Sequence, residues 1–233
     1  MCGRIVLSSD PDRLARILDA QLAAELDTGC WRPSWNVGPT STLLGASDLP
    51  GGVRNLAPYR WGLVPMWAKD PGALKSTFNA RAETLTTKPS FQSAFERGRI
   101  LIPVDAFYEW RTVGDARMPR VFRRADGEPI VVAGLAEQWK GPDGSILHSA
   151  TIVTTQAGPD MIGTHTRMPV VLERRSWDRW LDPGVADRDL LMRLLRPAGA
   201  GTLVHHPVDP AVGNVRNDGP ELVDEITVGR AAV

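Results

Sequence analysis

The sequence has few of the residues that mark several large classes of protein. Only Cys2 and Cys30 are cysteines among 233 residues, too few for a disulfide framework or a zinc site, so we expect Cys2 to be a free thiol. No run of about 18 apolar residues is present, which excludes an integral helical membrane protein. The opening stretch lacks the features of a secretory signal, and this predicts a cytoplasmic protein.

The sequence also lacks net charge, because 27 Lys and Arg balance 27 Asp and Glu. Bulk electrostatics therefore do not indicate a nucleic-acid partner, and any such partner must be held locally. Neither His205 nor His206 has a metal-ligand partner at recognisable spacing. His205 and His206, adjacent in a predicted strand, point to opposite faces, and we assign them no function. We expect neither a metal nor a cofactor.

The patterning predicts one α+β domain over residues 1–233, with motifs spanning 2–223 and a short extension at 224–233. Residues 3–8 read as a strand. Asp10 is a candidate N-cap with Pro11 at the first helical position. The apolar stripe of the following helix extends to position 26; its members are Leu14, Ile17, Leu18, Leu22 and Leu26.

Short apolar runs separated by turn residues fill most of the remaining chain. A brief helix is predicted at "SFQSAFERG", and the runs "PRVFRR", "PIVVAGL" and "HSATIVTT" suggest an antiparallel meander. Two helical stretches, "RRSWDRWL" and "DRDLLMRLLR", precede a last strand at "TLVHHPV". Strands do not alternate with long helices, which argues against a doubly wound parallel sheet. We expect curved antiparallel sheets forming an open, barrel-like core flanked by helices.

Cys2 has a chemistry of its own if Met1 is removed. The α-amine, with an unperturbed pKa near 8, can attack an aldehyde, and the thiol can then close a stable thiazolidine ring. The same terminus could instead act as an N-terminal nucleophile in acyl transfer, because glutamine amidotransferases begin with a similar "MCG". Cys2 could also be a small buried residue at the start of a strand.

Three further residues could serve such chemistry. Asn79 lies in "FNARAET". Glu109 lies between two aromatic residues in "FYEW", where a carboxyl suits proton exchange, although an outward-facing polar residue fits the strand pattern as well. His165, in "GTHTRMP", could act as an acid or stabilise an oxyanion, or be a structural histidine.

Seven stretches together resemble the SRAP (SOS response-associated peptidase) family: "MCGR", "FNARAET", "IPVDAFYEW", "VVAGLAEQW", "TIVTTQA", "HTRMPVVL" and "VGNVRNDGPELV". The resemblance implies a protein that crosslinks to abasic sites in single-stranded DNA, with a thiazolidine formed by Cys2. It implies that Asn79 holds the cysteine and the sugar. It also implies that Glu109 assists proton transfer and that His165 assists ring opening and reversal.

The resemblance further implies a narrow basic cleft for DNA. Arg4, Arg81 and Arg167 match positions expected to hold phosphates, and Asn36 is included in the same set. Trp67 and Trp110 could stack on exposed bases, although core packing is an equal reading for Trp110. Ala106 stands where many members have Gly, which puts the local geometry near Glu109 in question.

The sequence therefore predicts a monomeric covalent sensor of abasic sites in single-stranded DNA, located in the cytoplasm or on a bacterial nucleoid. Strand cleavage through the Schiff base would be a minor branch. Two alternatives remain. One is a peptidase or amidotransferase that uses Cys2 as an acyl nucleophile, and the other is a non-covalent reader of modified bases.

Overall fold

The protein builds two β-sheets and a set of short helices. The computed structural model describes residues 2–26, 31–72 and 76–227, so that Cys30 and residues 228–233 of the predicted extension lie outside the described residues. The strands are β1 (Ile5–Leu7), β2 (Gln21–Leu22), β3 (Ser34–Val37), β4 (Thr42–Asp48), β5 (Arg54–Trp61), β6 (Asn79–Arg81), β7 (Arg99–Val104), β8 (Ala106–Val113), β9 (Ala116–Arg124), β10 (Ile130–Lys140), β11 (Ile146–Gln156), β12 (Arg167–Pro169) and β13 (Leu203–Pro207). The α-helices are α1 (Pro11–Leu18), α2 (Pro89–Arg97), α3 (Trp177–Leu181) and α4 (Arg188–Leu194), with 3₁₀ turns at Ala82–Thr84, Pro159–Met161, Arg174–Ser176, Pro210–Gly213 and Pro220–Val223.

Five strands close into a barrel in the order β5, β4, β7, β10 and β11. Successive pairs are antiparallel, and the closing pair, β11 with β5, is parallel. The barrel interior is tight: a Cβ on Gly134 of β10 would lie 2.4 Å from Cδ1 of Ile102 on β7. Only glycine therefore fits at this position without moving its neighbour. The expected α+β fold with a barrel-like core and flanking helices is confirmed.

A second sheet, in the order β13, β9, β8, β1 and β3, packs against the barrel. Its inner face carries Phe107 and Phe122, whose rings stack 5.1 Å apart in the main core. Its outer face carries Tyr108 and Val121 and is covered by the C-terminal segment through Val212 and its neighbours. Alternate side chains of β8 therefore point to two different faces. One face packs in the main core, and the other is covered by the C-terminal segment.

Helix α1 begins as the sequence predicts. The Asp10 carboxylate accepts a hydrogen bond from the backbone N–H of Asp12, and Pro11 is the first helical residue. The predicted continuation to Leu26 is wrong, because α1 ends at Leu18 and Asp19 adopts a left-handed conformation with φ 55°. Arg54 donates to the Leu18 carbonyl at 3.1 Å. The chain then forms β2 along the open edge of β5, where backbone pairing replaces the helical bonds.

The predicted three-strand meander is also wrong. β9 and β10 lie in different sheets, so the turn at 125–128 connects the two layers instead of two neighbouring strands. β10 pairs with β7 and β11, whereas the open edge of β9 is taken by β13. Within the described ranges, no helix is both long and apolar enough to cross a bilayer.

Candidate active site at the N-terminal cysteine

Cys2 lies where the second sheet meets the barrel. Only 1% of its surface is exposed, and its carbonyl oxygen accepts a hydrogen bond of 2.6 Å from Nδ2 of Asn79. β1 runs antiparallel to β8 with Ile5 opposite Phe107, and this register brings Gly3 opposite Glu109. The fold therefore brings together the cysteine, the amide and the carboxylate that the sequence singled out.

The Cys2 thiol is held in its neutral form. Burial raises its pKa well above the ordinary range, and the nearby negative charge of Glu109 raises it further. Glu109 is itself buried, with 2% of its surface exposed. A neutral thiol beside a carboxylate needs a proton acceptor before it can act as a nucleophile, and Glu109 lies close enough to influence that proton.

Asn79 is positioned by the barrel. It lies in β6, which pairs in parallel with β11 so that Asn79 is opposite Ile152. While Nδ2 donates to Cys2, the buried Oδ1 has no hydrogen-bond partner among the described residues. A buried, unsatisfied acceptor beside Cys2 can accept a hydrogen bond from a donor that enters the site.

His165 lies in the loop that leads into β12, on the opposite edge of β11 from Asn79. Its Nδ1 accepts a hydrogen bond of 2.9 Å from the backbone N–H of Arg167. Nδ1 also lies 3.2 Å from the carbonyl oxygen of Arg167, but the shorter contact with the N–H makes Nδ1 the acceptor, so the neutral ring carries its proton on Nε2. The loop thus holds a half-buried imidazole next to β12.

Arg167 is engaged by a carboxylate. Its guanidinium forms a bidentate pair with Glu83, at 2.8 and 3.0 Å, and also donates to the Thr154 carbonyl at 2.6 Å. The bonds from Arg167 lower the pKa of Glu83. The Arg167 side chain therefore reaches across β11 to Glu83. The carboxylate of Glu83 offsets the positive charge of Arg167, the residue for which the sequence predicts a phosphate contact.

Arg4 and Asn36 are hydrogen-bonded to the C-terminal segment. The Arg4 guanidinium donates to Oδ1 of Asn36 at 2.8 Å and to the Val212 carbonyl at 3.0 Å, and burial lowers its pKa. Nδ2 of Asn36 donates to the carbonyls of Val212, Asn214 and Asn217. Asn36 is buried, so its amide fixes the turn at 212–217.

Trp67 and Arg81 are exposed, as a DNA contact requires. Trp67 is 55% exposed beside Met66, which is 56% exposed. The loop that carries them is held at both ends, because the N–H of Val64 donates to Ser149 and the Trp139 indole donates to the Ala68 carbonyl. Two apolar side chains are thus presented to solvent on a fixed loop.

Trp110 differs from Trp67. It faces the outer side of β8, away from Glu109, and packs partly buried against the C-terminal cover. The Arg117 guanidinium lies over its ring, 5.8 Å from the centroid. This placement favours the packing role for Trp110.

No role was predicted for Glu83 or Met66 from the sequence. Glu83 stands two residues after Arg81 in "NARAET", and its pairing with Arg167 links segments 84 residues apart, which no local pattern indicates. Met66 directly precedes Trp67 in a Pro- and Gly-rich loop, where adjacent apolar residues were a usable signal. No group of three His, Cys, Asp or Glu in the described part of the chain is arranged to hold a metal ion.

These features define an α+β barrel protein with a buried cysteine, Cys2, at its candidate site. Residues 1–215 match the family described as SOS response associated peptidase (SRAP), and the chain belongs to this family. It is 36% identical to the abasic site processing protein YoqW of Bacillus subtilis, over 96% of this chain and 99% of the relative. It is 33% identical to the abasic site processing protein HMCES of Gallus gallus, over 98% and 79% respectively.

Solved structures agree with the fold. A protein from Bacteroides thetaiotaomicron superposes with a TM-score of 0.87 at 20% identity, covering 97% of this chain and 100% of that one. A protein from Bordetella bronchiseptica superposes with a TM-score of 0.76 at 26% identity, covering 89% and 100%. The barrel and its second sheet are thus shared with other bacterial proteins.

Proposed function

We propose that this protein processes abasic sites in single-stranded DNA by trapping them covalently on Cys2. The observation that carries the proposal is the contact of Cys2 with Asn79, next to Glu109, in a chain whose relatives are named abasic site processing proteins. An abasic deoxyribose opens to an aldehyde. A terminal cysteine provides the amine and the thiol that convert an aldehyde into a ring.

The proposed reaction begins with the removal of Met1, which the protein performs on itself. The freed α-amine of Cys2 attacks the aldehyde carbon, and loss of one water gives the imine. The S–H then adds across the C=N bond: sulfur bonds to carbon, and the proton goes to nitrogen. The five-membered thiazolidine that results holds the DNA with net release of one water.

Three side chains have distinct roles in this scheme. Glu109 moves the protons, accepting one from the ammonium or thiol and returning one to the departing hydroxyl. Its proximity to a thiol with a raised pKa supports this role. Asn79 holds the Cys2 carbonyl through Nδ2, and its Oδ1 accepts from the freed amine or the sugar. His165 donates from Nε2 to open the sugar ring and later to reverse the adduct.

The DNA would lie across the mouth of this site. Trp67 and Met66 stack on or separate bases beside the lesion, a contact worth about 1–3 kcal/mol per base. Arg81 is the exposed arginine nearest in sequence to Asn79 and contacts a phosphate. Arg4 and Asn36 act by fixing the 212–217 turn, and Arg167 contacts DNA in competition with Glu83.

We place the protein in the cytoplasm, as a single domain acting as a monomer.

The experiment is to mix the purified protein with single-stranded DNA that contains one abasic site and resolve the products on a denaturing gel. Wild type should form a denaturation-resistant adduct. Cys2→Ala, and a chain with a tag that keeps Cys2 internal, should not. An adduct of equal yield with Cys2→Ala would refute the role of the thiol.

The acyl-transfer alternative uses the same cysteine and is decided by the same preparation. Incubation with glutamine or with a model peptide should leave both intact. Strand cleavage should remain a minor product, because ring closure by the thiol competes with elimination from the imine. Release of ammonia or a cleaved peptide, with no DNA adduct, would replace the proposal with an acyl transferase.

A further inference from the structure

Arg120 is the cross-strand neighbour of Glu109. β8 and β9 pair antiparallel with Glu109 directly opposite Arg120, so both side chains leave the sheet on the same face, with Cβ atoms about 5 Å apart. Gly3 is opposite Glu109 on the other side of β8. Gly3, Glu109 and Arg120 are therefore neighbours in one row that crosses the sheet from the N-terminal segment to β9. Arg120 therefore lies one strand beyond the residue that borders Cys2.

His205 holds the Arg120 guanidinium in place. Nη1 of Arg120 lies 2.7 Å from Nδ1 of His205, and since a guanidinium only donates, Nδ1 is the acceptor. The His205 ring packs on Phe122, with centroids 4.9 Å apart and the planes at 53°. Phe122 is fully buried in the core, so the chain from Phe122 through His205 to Arg120 is anchored at its inner end.

Arg120 shares its face of the sheet with one carboxylate, Glu109, and with a second arginine, Arg111, so these three side chains carry a net positive charge. Burial lowers the pKa of Arg120, and the neighbouring positive charge of Arg111 lowers it further. Arg54 and Arg124, whose bonds to aspartates offset the cost of burial, have raised pKa values instead. A half-buried arginine beside a second arginine becomes more stable when a negative group binds between them.

We propose that Arg120, positioned by His205 and assisted by Arg111, binds the DNA phosphate next to the abasic sugar that reacts with Cys2. The inference rests on the proposed function and names a contact that the sequence did not indicate. Each sugar in a DNA strand is flanked by phosphates. A site that brings the sugar carbon to Cys2 therefore also brings a phosphate close to the face of the sheet that carries Glu109 and Arg120. Arg120 is a binding residue here, and His205 is a positioning residue.

The test measures binding without chemistry. The probe is single-stranded DNA with a tetrahydrofuran abasic analogue, which has no aldehyde, and the readout is the Kd by fluorescence anisotropy over a series of salt concentrations. Arg120→Gln should weaken binding by about tenfold or more, and reduce the salt slope by about 0.7, the value for one phosphate contact to a single strand. Arg124→Gln, a matched control on the same strand, should change neither quantity.

His205 is tested by the same readout. His205→Ala should weaken binding and lower the salt slope in part, and His205→Gln, which retains an acceptor for Arg120, should restore both. A merely structural histidine would change the unfolding temperature without changing the salt slope of the folded protein.

An unchanged Kd and salt slope in folded Arg120→Gln would overturn the proposal. If that variant does not fold, Arg120→Lys decides: lysine keeps the charge but cannot bind His205 and a phosphate together, so an unchanged Kd would equally overturn it. The result is independent of the crosslinking reaction. Wild type that binds the analogue but forms no adduct with a true abasic site would refute the trapping chemistry and leave the phosphate contact standing.

Discussion

Replacement of Asn79 by alanine should slow the trapping reaction far more than it weakens DNA binding. The substitution removes the 2.6 Å bond to the Cys2 carbonyl and the buried Oδ1 that has no partner among the described residues. The carbonyl of Cys2 then loses its donor inside the protein. The terminus that carries both reacting groups is no longer held in one position.

The magnitude follows from the lost bond. Leaving a buried carbonyl without its donor costs about 1–3 kcal/mol, and the removal of the unsatisfied Oδ1 offsets part of this in stability. We therefore expect the free energy of unfolding to fall by about 1 kcal/mol. If the bond acts fully in the transition state, the same 1–3 kcal/mol slows adduct formation by about 5- to 160-fold. Asn79→Asp should be slower still, because it turns a donor into an acceptor facing the carbonyl.

The assay is a single-turnover time course of adduct formation at saturating DNA, read on denaturing gels. The Kd for the tetrahydrofuran probe should stay within about twofold of wild type, because Asn79 carries no charge. Asn55→Ala, which removes an asparagine from β5 instead, is the matched control and should react at the wild-type rate. A folded Asn79→Ala protein that reacts as fast as wild type would refute the positioning role.

Three further predictions follow from individual contacts. Asn36→Ala should lower the free energy of unfolding by about 2–4 kcal/mol in urea titrations, because the carbonyls of Asn214 and Asn217 lose their donor, while Val212 keeps the bond from Arg4; an unchanged midpoint would contradict this. Glu83→Gln should tighten single-stranded DNA binding and steepen its salt dependence, since it frees Arg167; weaker binding would show that Glu83 positions Arg167 productively. Burial raises the pKa of Glu137, and the interactions with Ser93 and the Met66 backbone lower that pKa by less than burial raises it. The folded state therefore loses stability as the pH rises through that raised pKa, and Glu137→Gln should be more stable than wild type at pH 7 but not near pH 4, as thermal melts at both values would show.

Local signals in the sequence were sufficient for many of the individual elements. Asp10 and Pro11 start α1 because capping depends on neighbouring residues. The end of α1 was not predictable in the same way, since Arg54 caps Leu18 from 36 residues away. The parallel closure of β5 on β11 similarly joins Arg60 and Ser149, which no hairpin signal connects.

In the candidate site, too, residue types could be recognised from the sequence, whereas contacts between distant segments could not. The residue types at Cys2, Asn79 and Glu109 suggested the chemistry proposed above, while the bond from Asn79 to the Cys2 carbonyl depends on β6 pairing with β11. Residues expected to meet DNA proved harder to interpret. Arg4 and Asn36 are bonded to the C-terminal segment, a contact across roughly the whole chain that sequence spacing does not reveal.

In the proposed reaction, Cys2 forms a ring with the aldehyde through both its amine and its thiol. The most direct test is the intact mass of the adduct, with and without borohydride treatment. The adduct should have a mass equal to the protein without Met1 plus the DNA less one water, unchanged by borohydride, because a thiazolidine has no C=N bond to reduce. An adduct that gains two hydrogens, or that still carries Met1, would contradict it.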